Sequence, residues 1–323
     1  MDPIAGLLDG PRARGAFLLR SLLDPPWSLR IADEAPLTLV VLLRGNAVLT
    51  PHGGDPLLLS AGDVALLRGP EPYDLADTAD TPTQVVVGPG ETTSAPDGTP
   101  VTGFVHLGVR TWGQRLDAPT MMLCGTYMSV SEVSERLLRA LPQVIALPGD
   151  AWDSRLGHLL GEECARETAG QGAVLDRLLD VVLITALRAW LARPGAEAPG
   201  WYRAQADPVI GPALRLLHED PARAWTLQTL ARECDVSRAA LARRFSELVG
   251  EPPMTYLTER RLALAADLLL EPGATIGAVA AQVGYGSAFA LSTAFKRVRG
   301  VSPAEHRRRA PAWQDLTLAT QPG

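Results

Sequence analysis

Cysteine is scarce in this sequence, and its placement limits the class of protein. The 323 residues contain three, Cys124, Cys164 and Cys234, which lie far apart along the chain. An odd number of distant cysteines excludes a small secreted scaffold that is held together by disulfides. No Cys-x-x-Cys pair occurs, so a structural zinc cluster is not expected.

Long apolar runs and targeting signals are lacking as well. The longest apolar stretches, Leu37–Leu43 and Val181–Leu187, each stop at an arginine. Both fall far short of the roughly 20 residues that a transmembrane helix needs. The first residues, Met-Asp-Pro-Ile-Ala-Gly, have neither the basic start nor the apolar core of a secretion signal. We therefore expect a cytoplasmic protein without a membrane span.

The net charge of −6 is distributed unevenly. Residues 1–200 contain 15 Lys and Arg against 24 Asp and Glu, whereas residues 201–323 contain 15 against 12. The length suggests two domains, and 46% hydrophobic residues can supply packed cores. A basic second part favours a nucleic-acid partner, although a solvated surface would look the same. The basic residues cluster there as Arg243-Arg244, Arg260-Arg261, Lys296-Arg297 with Arg299, and Arg307-Arg308-Arg309.

The last hundred residues contain an internal repeat, in which Thr226–Gly250 matches Thr275–Gly300. Five pairs of identical residues are each 50 positions apart: Ser237 and Ser287, Leu241 and Leu291, Phe245 and Phe295, Gly250 and Gly300, and Pro253 and Pro303. Upstream of the serines the spacing is 49, as in Leu227 and Ile276, Leu230 and Val279, and Ala231 and Ala280. One residue has therefore been gained in the turn of the second copy.

Each copy has the pattern of a helix-turn-helix. In the first copy, Leu227, Leu230 and Ala231 form the apolar stripe of a short helix. Ser237 then stands at the N-cap of a second helix, which Gly250 ends as a C-cap. Two helices joined by a tight turn in this way form a helix-turn-helix, and the motif occurs twice. Between the copies, residues 254–270 are predicted to be a helix with apolar residues on two sides, buried between two small bundles.

The segments VSRAALARRF and VGYGSAFALSTAFKRVRGVSPAEHRR closely resemble the DNA-binding domain of AraC/XylS-type transcription regulators. The resemblance covers residues 207–309, about a third of the chain. It implies that the second helix of each unit lies in a major groove of double-stranded DNA. Two such helices in one chain can reach successive turns of the duplex, ~34 Å apart.

The resemblance also implies which side chains meet the DNA. Those expected to contact bases are Arg238, Ala239, Ala242 and Arg243 in the first unit, and Ala288, Phe289, Ser292 and Thr293 in the second. Those expected to contact phosphates are Arg244, Lys296, Arg297 and Arg299. Arg243 is the best candidate for a bidentate contact to guanine. For the arginines a solvated helix face is the alternative, whereas Phe245 and Phe295 belong to the buried stripe.

The region from Trp27 to Val130 has the pattern of a β-barrel. Short apolar runs bounded by Gly and Pro predict strands at Leu37–Leu43, Leu57–Leu59, Val64–Leu67, Val85–Val87, Met121–Cys124 and Tyr127–Val130. From Ser131 the period becomes helical: Val133, Leu137 and Leu141 form one stripe, and further helices are predicted over 152–168 and 174–191. These helices suit either a dimer seam or a cover over the end of the barrel.

This first half is similar to the cupin-type sensor domain of one AraC-type subgroup, some members of which respond to oxidants. The matching segments are Trp27–Arg30, Gly45, Leu59–Asp63, Arg68-Gly69, Leu123–Thr126, Leu137-Leu138 and Leu141-Pro142. Where many relatives have two histidines, this sequence has Val40 and Pro72. Two imidazoles suited to a transition metal are therefore missing, and we expect no metal. His52 and His106 are expected to be surface or loop histidines.

Cys124 matches a cysteine that oxidant-sensing relatives use, but Ser21 stands at its partner position. A disulfide switch between these two positions is thus excluded, while oxidation of Cys124 alone stays open. Cys164 is expected to be buried in the packing of a helix. We favour a small-molecule effector held in the barrel, with Trp27, Tyr73 and Trp112 as candidate wall residues.

We therefore predict a multidomain α+β protein with an N-terminal cupin-like β-barrel and trailing helices, followed by an all-α double helix-turn-helix domain. The predicted divisions are a sensor domain over 1–130, a helical segment over 131–192 that is a candidate for dimerisation, a flexible linker over 193–206, a DNA-binding domain over 207–310 and a tail over 311–323.

The predicted function is that of a sequence-specific DNA-binding transcription regulator, an effector-responsive activator rather than an enzyme. Its expected partners are double-stranded DNA, a small-molecule effector, a second copy of the chain and RNA polymerase, and no cofactor is expected. A cupin-type metal-dependent enzyme that carries a DNA-binding module is the alternative, but the barrel shows no ligand set. Repair of DNA by alkyl transfer would need an activated cysteine, and the Gly-Thr-Tyr segment after Cys124 provides no base.

Overall fold

The computed structural model describes residues 17–127, 138, 141–193 and 199–309. Within these ranges the chain forms two compact units, one of residues 17–127 with 141–193 and the other of residues 199–309. The stripe positions Val133 and Leu137, and the predicted tail over 311–323, lie outside the described residues.

The first unit contains two β-sheets. Its described strands are β1 (Phe17–Leu23), β2 (Ser28–Ile31), β3 (Leu37–Arg44), β4 (Asn46–Pro51), β5 (Leu57–Ser60), β6 (Val64–Arg68), β7 (Tyr73–Ala76), β8 (Val85–Val87), β9 (Thr93–Ser94), β10 (Val105–Gly108), β11 (Thr111–Gly113), β12 (Thr120–Tyr127) and β13 (Val144–Leu147). One sheet has the order β10-β11-β1-β12-β3-β6-β13, and the other has the order β5-β4-β7-β2-β8-β9. This is the β-rich cupin architecture that the sequence predicted.

The core of the unit lies between the sheets, where alternate residues of each strand meet. Val40 and Leu42 of β3 lie in the same buried cluster as Leu29 and Leu75 of the facing sheet. Val41, between them on β3, points to the other side and is buried as well. A strand buried on both faces needs a continuous apolar run rather than alternation, which explains the sequence of Leu37–Leu43.

Two helices, α1 (Arg155–Cys164) and α2 (Gln171–Leu191), cover the outer face of the seven-stranded sheet. Glycines allow the close approach: a Cβ at Gly157 would lie 2.7 Å from Cγ1 of Val41, and one at Gly125 would lie 2.5 Å from Cδ1 of Leu179. The helices thus cover a wall of the barrel rather than its end.

The structure corrects two predictions in this unit. The sequence predicts strands at Met121–Cys124 and Tyr127–Val130, but β12 runs without a break from Thr120 to Tyr127. Gly125 is therefore not in a turn, and its missing side chain makes room for Leu179 of α2. Residues 128–130 of the second predicted strand lie outside the described residues. The helical pattern expected after Ser131 is interrupted by β13, which pairs antiparallel with β6. A four-residue apolar strand is too short to be distinguished from helix by period alone.

The second unit is helical. Its described helices are α3 (Gly200–Arg203), α4 (Ile210–Glu219), α5 (Leu227–Glu233), α6 (Arg238–Val249), α7 (Pro253–Leu269), α8 (Ile276–Gln282), α9 (Ala288–Arg299) and α10 (Pro303–Arg309). The linker predicted over 193–206 differs from the structure, because α3 and a 3-10 turn at Ala204–Ala206 occupy its second half. Trp201 and Ala204 are buried there, so this segment packs as part of the unit.

Both predicted helix-turn-helix motifs form, as α5 with α6 and as α8 with α9. The Ser237 hydroxyl accepts a hydrogen bond from the Ala240 N–H at 3.2 Å, and the Ser287 hydroxyl accepts one from Ala290 at 3.1 Å. Gly250, with φ of +94°, ends α6 in the left-handed region, and Gly300 ends α9 in the same way. The capping roles predicted for the serines and glycines are confirmed.

Helix α7 joins the cores of the two motifs. Phe245 and Tyr256 meet edge to face with ring centroids 5.7 Å apart, and Phe295 meets His306 in the same way at 5.4 Å. Farther along α7, Leu262 and Leu269 are fully buried in one cluster with Phe295. The 50-residue repeat therefore extends into the helix that follows each motif, since positions 256 and 306 correspond.

Candidate nucleic-acid interface and sensor cavity

Helices α6 and α9 turn equivalent faces to solvent. Of the side chains predicted to contact bases, six are exposed and Ala242 and Ser292 are half-buried: the exposed ones are Arg238, Ala239, Arg243, Ala288, Phe289 and Thr293. The opposite faces contain the fully buried Leu241, Phe245, Leu291 and Phe295. The side chains predicted to read DNA thus lie together on the open side of each helix, and the two predicted core phenylalanines are confirmed.

Phe289 is the most unusual residue on these faces, because 80% of its surface is exposed. An aromatic ring left in water gains nothing for the fold of its own domain. Its counterpart in the repeat, Ala239, is also apolar and exposed. At these two positions the helices therefore present apolar groups outward, suited to contact with a thymine methyl.

Arg243 has a local partner. Its guanidinium lies 3.2 Å from the Glu247 carboxylate one turn along α6, and both side chains are more than half exposed. An exposed i,i+4 pair contributes little to stability, so Arg243 can exchange Glu247 for a DNA base at small cost.

Arg244 is held differently from the other predicted phosphate contacts. Two of its nitrogens donate to Oδ2 of Asp207, at 2.8 and 2.6 Å, and the Asp207 side chain is only 11% exposed. Oδ1 of Asp207 accepts hydrogen bonds from the N–H groups of Val209 and Ile210 at the start of α4. Burial alone would raise the pKa of Asp207, but these hydrogen bonds more than offset it and hold that pKa below its usual range.

Lys296, Arg297 and Arg299 lie in the last turn of α9. The first two are exposed and Arg299 is half-buried. Cations at the C-terminal end of a helix interact favourably with its dipole, and here they also stand beside the face predicted to meet the DNA.

Other members of the basic clusters serve the fold. The Arg261 guanidinium donates to the carbonyls of Pro221 and Arg223, at 2.6 and 2.7 Å. Arg307 donates to the carbonyls of Leu269, at 2.9 Å, and Ala274, at 2.7 Å. Arg260 is buried on α7. Charge clustering along the sequence could not separate these anchors from arginines that face solvent.

The barrel contains a cavity between its two sheets, which is partly open to solvent. Tyr73, Trp112 and Cys124, three of the four residues predicted to form an effector or redox site, line it. The prediction for Trp27 is wrong: Trp27 is fully buried in the core cluster and does not reach the cavity. Sequence pattern alone cannot tell a core tryptophan from a wall tryptophan.

Sequence reasoning missed Asp33, which also lines the cavity. It follows β2, two residues after Ile31, and Ile31 pairs with Tyr73 across the sheet. Burial raises the pKa of Asp33, although a hydrogen bond from the Ala35 N–H partly offsets the effect. A single acid in a loop gave no sequence signal that could have identified it.

Cys124 lies in the cavity wall opposite Leu19 of β1, and Ser21 stands one step along the same face. Burial raises the pKa of the Cys124 thiol to about 12, and the nearby Asp33 carboxylate adds to the shift. A thiol with such a pKa carries almost no thiolate at neutral pH and is a poor nucleophile. Cys164 is buried in α1, as predicted.

The histidines expected at the surface are there: His52 and His106 are both exposed. Across the described ranges, no group of three His, Cys, Asp or Glu side chains comes together in a way that could hold a metal ion. Among the helices that the structure describes, none has the length and apolar character to cross a membrane.

These observations define a protein of two kinds of module, a cupin-type β unit with an internal cavity and a DNA-binding unit with two helix-turn-helix motifs. A family profile described as Cupin matches residues 2–192, and one described as Helix-turn-helix domain matches residues 230–309.

The chain is similar along nearly its whole length to proteins that are named as transcription regulators. It is 32% identical to an AraC-like transcription regulator of Streptomyces lividans over 95% of this chain and 98% of that one. It is 26% identical to the HTH-type transcriptional regulator AlkR of Acinetobacter baylyi over 96% of this chain and all of that one.

Among solved structures, the DNA-binding domain of AdpA in complex with a target DNA is 31% identical, covers 32% of this chain and 92% of that domain, and has a TM-score of 0.30. The chain belongs to the family of AraC-like transcription regulators. It is a DNA-binding transcriptional regulator.

Proposed function

We propose that this regulator is an effector-responsive activator, which acts in the cytoplasm as a homodimer and engages RNA polymerase at its target promoters. One observation carries the proposal most directly: α6 and α9, with matching caps and matching buried phenylalanines, turn corresponding faces to solvent. Paired recognition helices in one chain favour binding to successive major grooves on one side of a duplex.

The residues proposed to contact bases, called the base-reading set below, differ in chemistry between the two helices. In α6 it consists of Arg238, Ala239, Ala242 and Arg243, so the first helix supplies long charged donors. In α9 it consists of Ala288, Phe289, Ser292 and Thr293, which supply short or apolar contacts. The first motif therefore discriminates mainly through hydrogen bonds, with guanine as the partner of Arg243, and the second mainly through shape and methyl contact.

The phosphate-contacting set is Arg244, Lys296, Arg297 and Arg299, with Arg244 the least available. Lys296 and Arg297 are exposed beside the base-reading face and can meet the backbone directly. Nε and Nη2 of Arg244 are held by Asp207, so fewer of its N–H donors remain for a phosphate. Such contacts position the protein and add salt-dependent affinity without selecting sequence.

The cavity supports the effector part of the proposal. It lies between the sheets of the first unit, residues 17–127 with 141–193, which is called the sensor unit from here on. Its apolar wall with few polar groups is typical of sites for small molecules. The dimer part is supported by α2, on which Val174 and Val181 are 46% and 43% exposed and stand two turns apart on one face. The activator role and the RNA polymerase partner follow from the resemblance to the family.

Selection of bound DNA from a randomised duplex library tests the base-reading set. We expect the wild type to select a site that spans two successive turns, and Arg243→Ala to lose preference at one position. Loss of one bidentate contact corresponds to about 1–3 kcal/mol of discrimination at that position. Arg155→Ala is the matched control, because Arg155 also pairs with a nearby carboxylate but lies in the sensor unit.

The proposal for Arg243 is overturned if Arg243→Ala selects the wild-type site with wild-type affinity. Reporter transcription from the selected site, with and without the purified regulator, then separates activation from repression. Sedimentation of the full chain at low and high concentration tests the dimer, and Val181→Asp is expected to shift it towards the monomer.

A further inference from the structure

The cavity of the sensor unit has an unusual charge. Asp33 is the one charged side chain among the described residues that line it, and these residues include no Lys, Arg or His. An anionic ligand, whether carboxylate or phosphate, would meet the Asp33 carboxylate with no base from this wall to offset the repulsion. The wall therefore selects against anions.

The second carboxylate oxygen of Asp33, Oδ2, is available to accept a hydrogen bond from a ligand. Its Oδ1 accepts a hydrogen bond from the Ala35 N–H at 3.1 Å, which forms a tight turn just after β2. In the described part of the chain no basic side chain forms an ion pair with it, and burial raises its pKa. A partly buried carboxylate without a counter-charge is costly, and a cation in the cavity would remove that cost.

The rest of the wall suits a cation that is attached to an apolar body. Phe17, Tyr73 and Trp112 line the cavity with aromatic surface, and Trp112 stacks on Phe104 with ring centroids 4.7 Å apart, which fixes its orientation. Aromatic faces attract organic cations, especially where water is excluded. Leu19 and Leu29 add aliphatic surface from the two facing sheets.

We propose that the cavity binds an organic cation, namely an amine that is protonated at neutral pH and carried on a small apolar or aromatic group. The ammonium pairs with the free side of the Asp33 carboxylate, and the apolar group lies among the aromatic and aliphatic residues of the wall. This inference rests on the proposal that the cavity holds the effector, and it names the chemical class of that effector.

Three probes of similar shape and different charge test the class of ligand. Calorimetry and thermal unfolding of the full chain are carried out with 2-phenylethylamine, 2-phenylethanol and 3-phenylpropanoate. We expect the amine to bind at least tenfold more tightly than the alcohol and to raise Tm, whereas the carboxylate gives neither signal. The inference is overturned if the amine does not bind, or if the alcohol or the carboxylate binds as well as the amine.

Asp33→Asn removes the charge while the amide oxygen can still accept the hydrogen bond from Ala35. We expect it to abolish the preference for the amine and to leave the affinity for the alcohol unchanged. The matched control is Asp97→Asn, because Oδ1 of Asp97 accepts from the Thr99 N–H at 3.0 Å in a similar turn that lies outside the cavity. If Asp33→Asn binds the amine as the wild type does, Asp33 is not the recognition group and the inference is wrong.

DNA binding is measured separately on the same samples, so that the two proposals can fail independently. Amine binding without any effect on DNA occupancy or reporter transcription would contradict the effector role and leave the ligand class intact. The opposite result is that no amine binds while the protein still binds DNA and activates transcription. That result would contradict the proposed ligand class and leave the proposed regulator function unaffected.

Discussion

The Arg244 guanidinium donates two hydrogen bonds to Oδ2 of Asp207, while Oδ1 of Asp207 receives the first free N–H groups of α4. One carboxylate thus connects recognition helix α6 with the beginning of the DNA-binding unit. Gly200 in α3 comes close to the end of α6 as well, since a Cβ there would lie 2.6 Å from the Leu248 carbonyl oxygen. The segment that enters the unit therefore contacts the first recognition helix at two places.

We expect Arg244→Ala to lower Tm and to weaken binding to all DNA sequences alike. If Arg244 also contacts a phosphate, the slope of log K against log salt falls by about one unit, and if it only supports Asp207 the slope is unchanged. Filter binding over a range of salt concentrations distinguishes the two. Lys296→Ala is the comparison, because Lys296 is exposed and forms no salt bridge with a carboxylate of the described residues, although its charge acts on the nearby Glu305. This variant should reduce the slope.

The contribution of this pair to stability should depend on pH in a defined direction. Because the pKa of Asp207 is held below its usual range, the stabilisation is present above the pKa of an unfolded Asp, about 3.9. It is lost as the pH falls through the lower pKa of the folded state. The difference in Tm between wild type and Arg244→Ala should therefore be constant near neutral pH and should shrink below about pH 4. A difference that grows in acid would contradict this account.

The N-cap serines give a second prediction. Ser237→Ala and Ser287→Ala each remove the acceptor of one free N–H, which costs about 1 kcal/mol in typical helices. We expect each to lower the free energy of unfolding by that amount in urea titrations and to weaken DNA binding, because the first turn of each recognition helix frays. Ser237→Asn keeps a capping oxygen and should behave as the wild type. Equal loss in the alanine and asparagine variants would mean that the hydroxyl contacts DNA.

Alanine substitutions of two phenylalanines on α9 should have different effects, one on DNA affinity and the other on the free energy of unfolding. Phe289 is 80% exposed and Phe295 is fully buried. Phe289→Ala should leave unfolding unchanged within about 0.5 kcal/mol, as exposed positions do, while it reduces affinity for the selected site. Phe295→Ala should cost about 3–5 kcal/mol of stability. Unimpaired DNA binding by Phe289→Ala would remove this ring from the base-reading set.

The second unit was the more predictable from sequence because its signals are local. Ser237, Ser287, Gly250 and Gly300 act through caps that involve only residues three or four positions away. A repeat doubles each of these signals. The sequence does not show whether an arginine faces solvent or donates to a backbone carbonyl. Arg261 is an example, because the carbonyl that it contacts belongs to Pro221, in a loop 40 residues away.

The first unit was less predictable because its contacts are distant in sequence. β1 pairs with β12 about a hundred residues later, and β13 pairs with β6, where Val144 lies opposite Leu67, 77 positions earlier. Short strands of this kind give weak patterns, so the sequence predicts a helical segment over 131–192, in which β13 lies. Trp27 and Trp112 are both predicted as wall residues, yet only Trp112 lines the cavity. Asp33 can be identified as a candidate site residue only from its position in the cavity wall of the folded protein.

Cys124 is expected to be unreactive. Burial raises its pKa to about 12, so at pH 7 the reactive thiolate is a minute fraction. Iodoacetamide should modify native Cys124 far more slowly than a free thiol, as followed by mass spectrometry of the cysteine peptides. Cys124→Ser should leave reporter activity unchanged with and without peroxide. Rapid labelling, or a peroxide response that disappears in Cys124→Ser, would establish a redox role instead.

The Asp33 carboxylate should destabilise the ligand-free protein, and this effect can be measured without any ligand. Its pKa is raised, so folding favours the protonated acid and is penalised once the pH rises through the pKa of the folded state. The ionisable groups that face it, Tyr73 and Cys124, have raised pKa values and stay neutral over this range. Asp33→Asn should therefore raise Tm at pH 7, and the gain should vanish near pH 3, where both states bind the proton. Asp97→Asn should show no such gain, because hydrogen bonds from Thr99 lower the pKa of Asp97 and reverse the sign of its contribution.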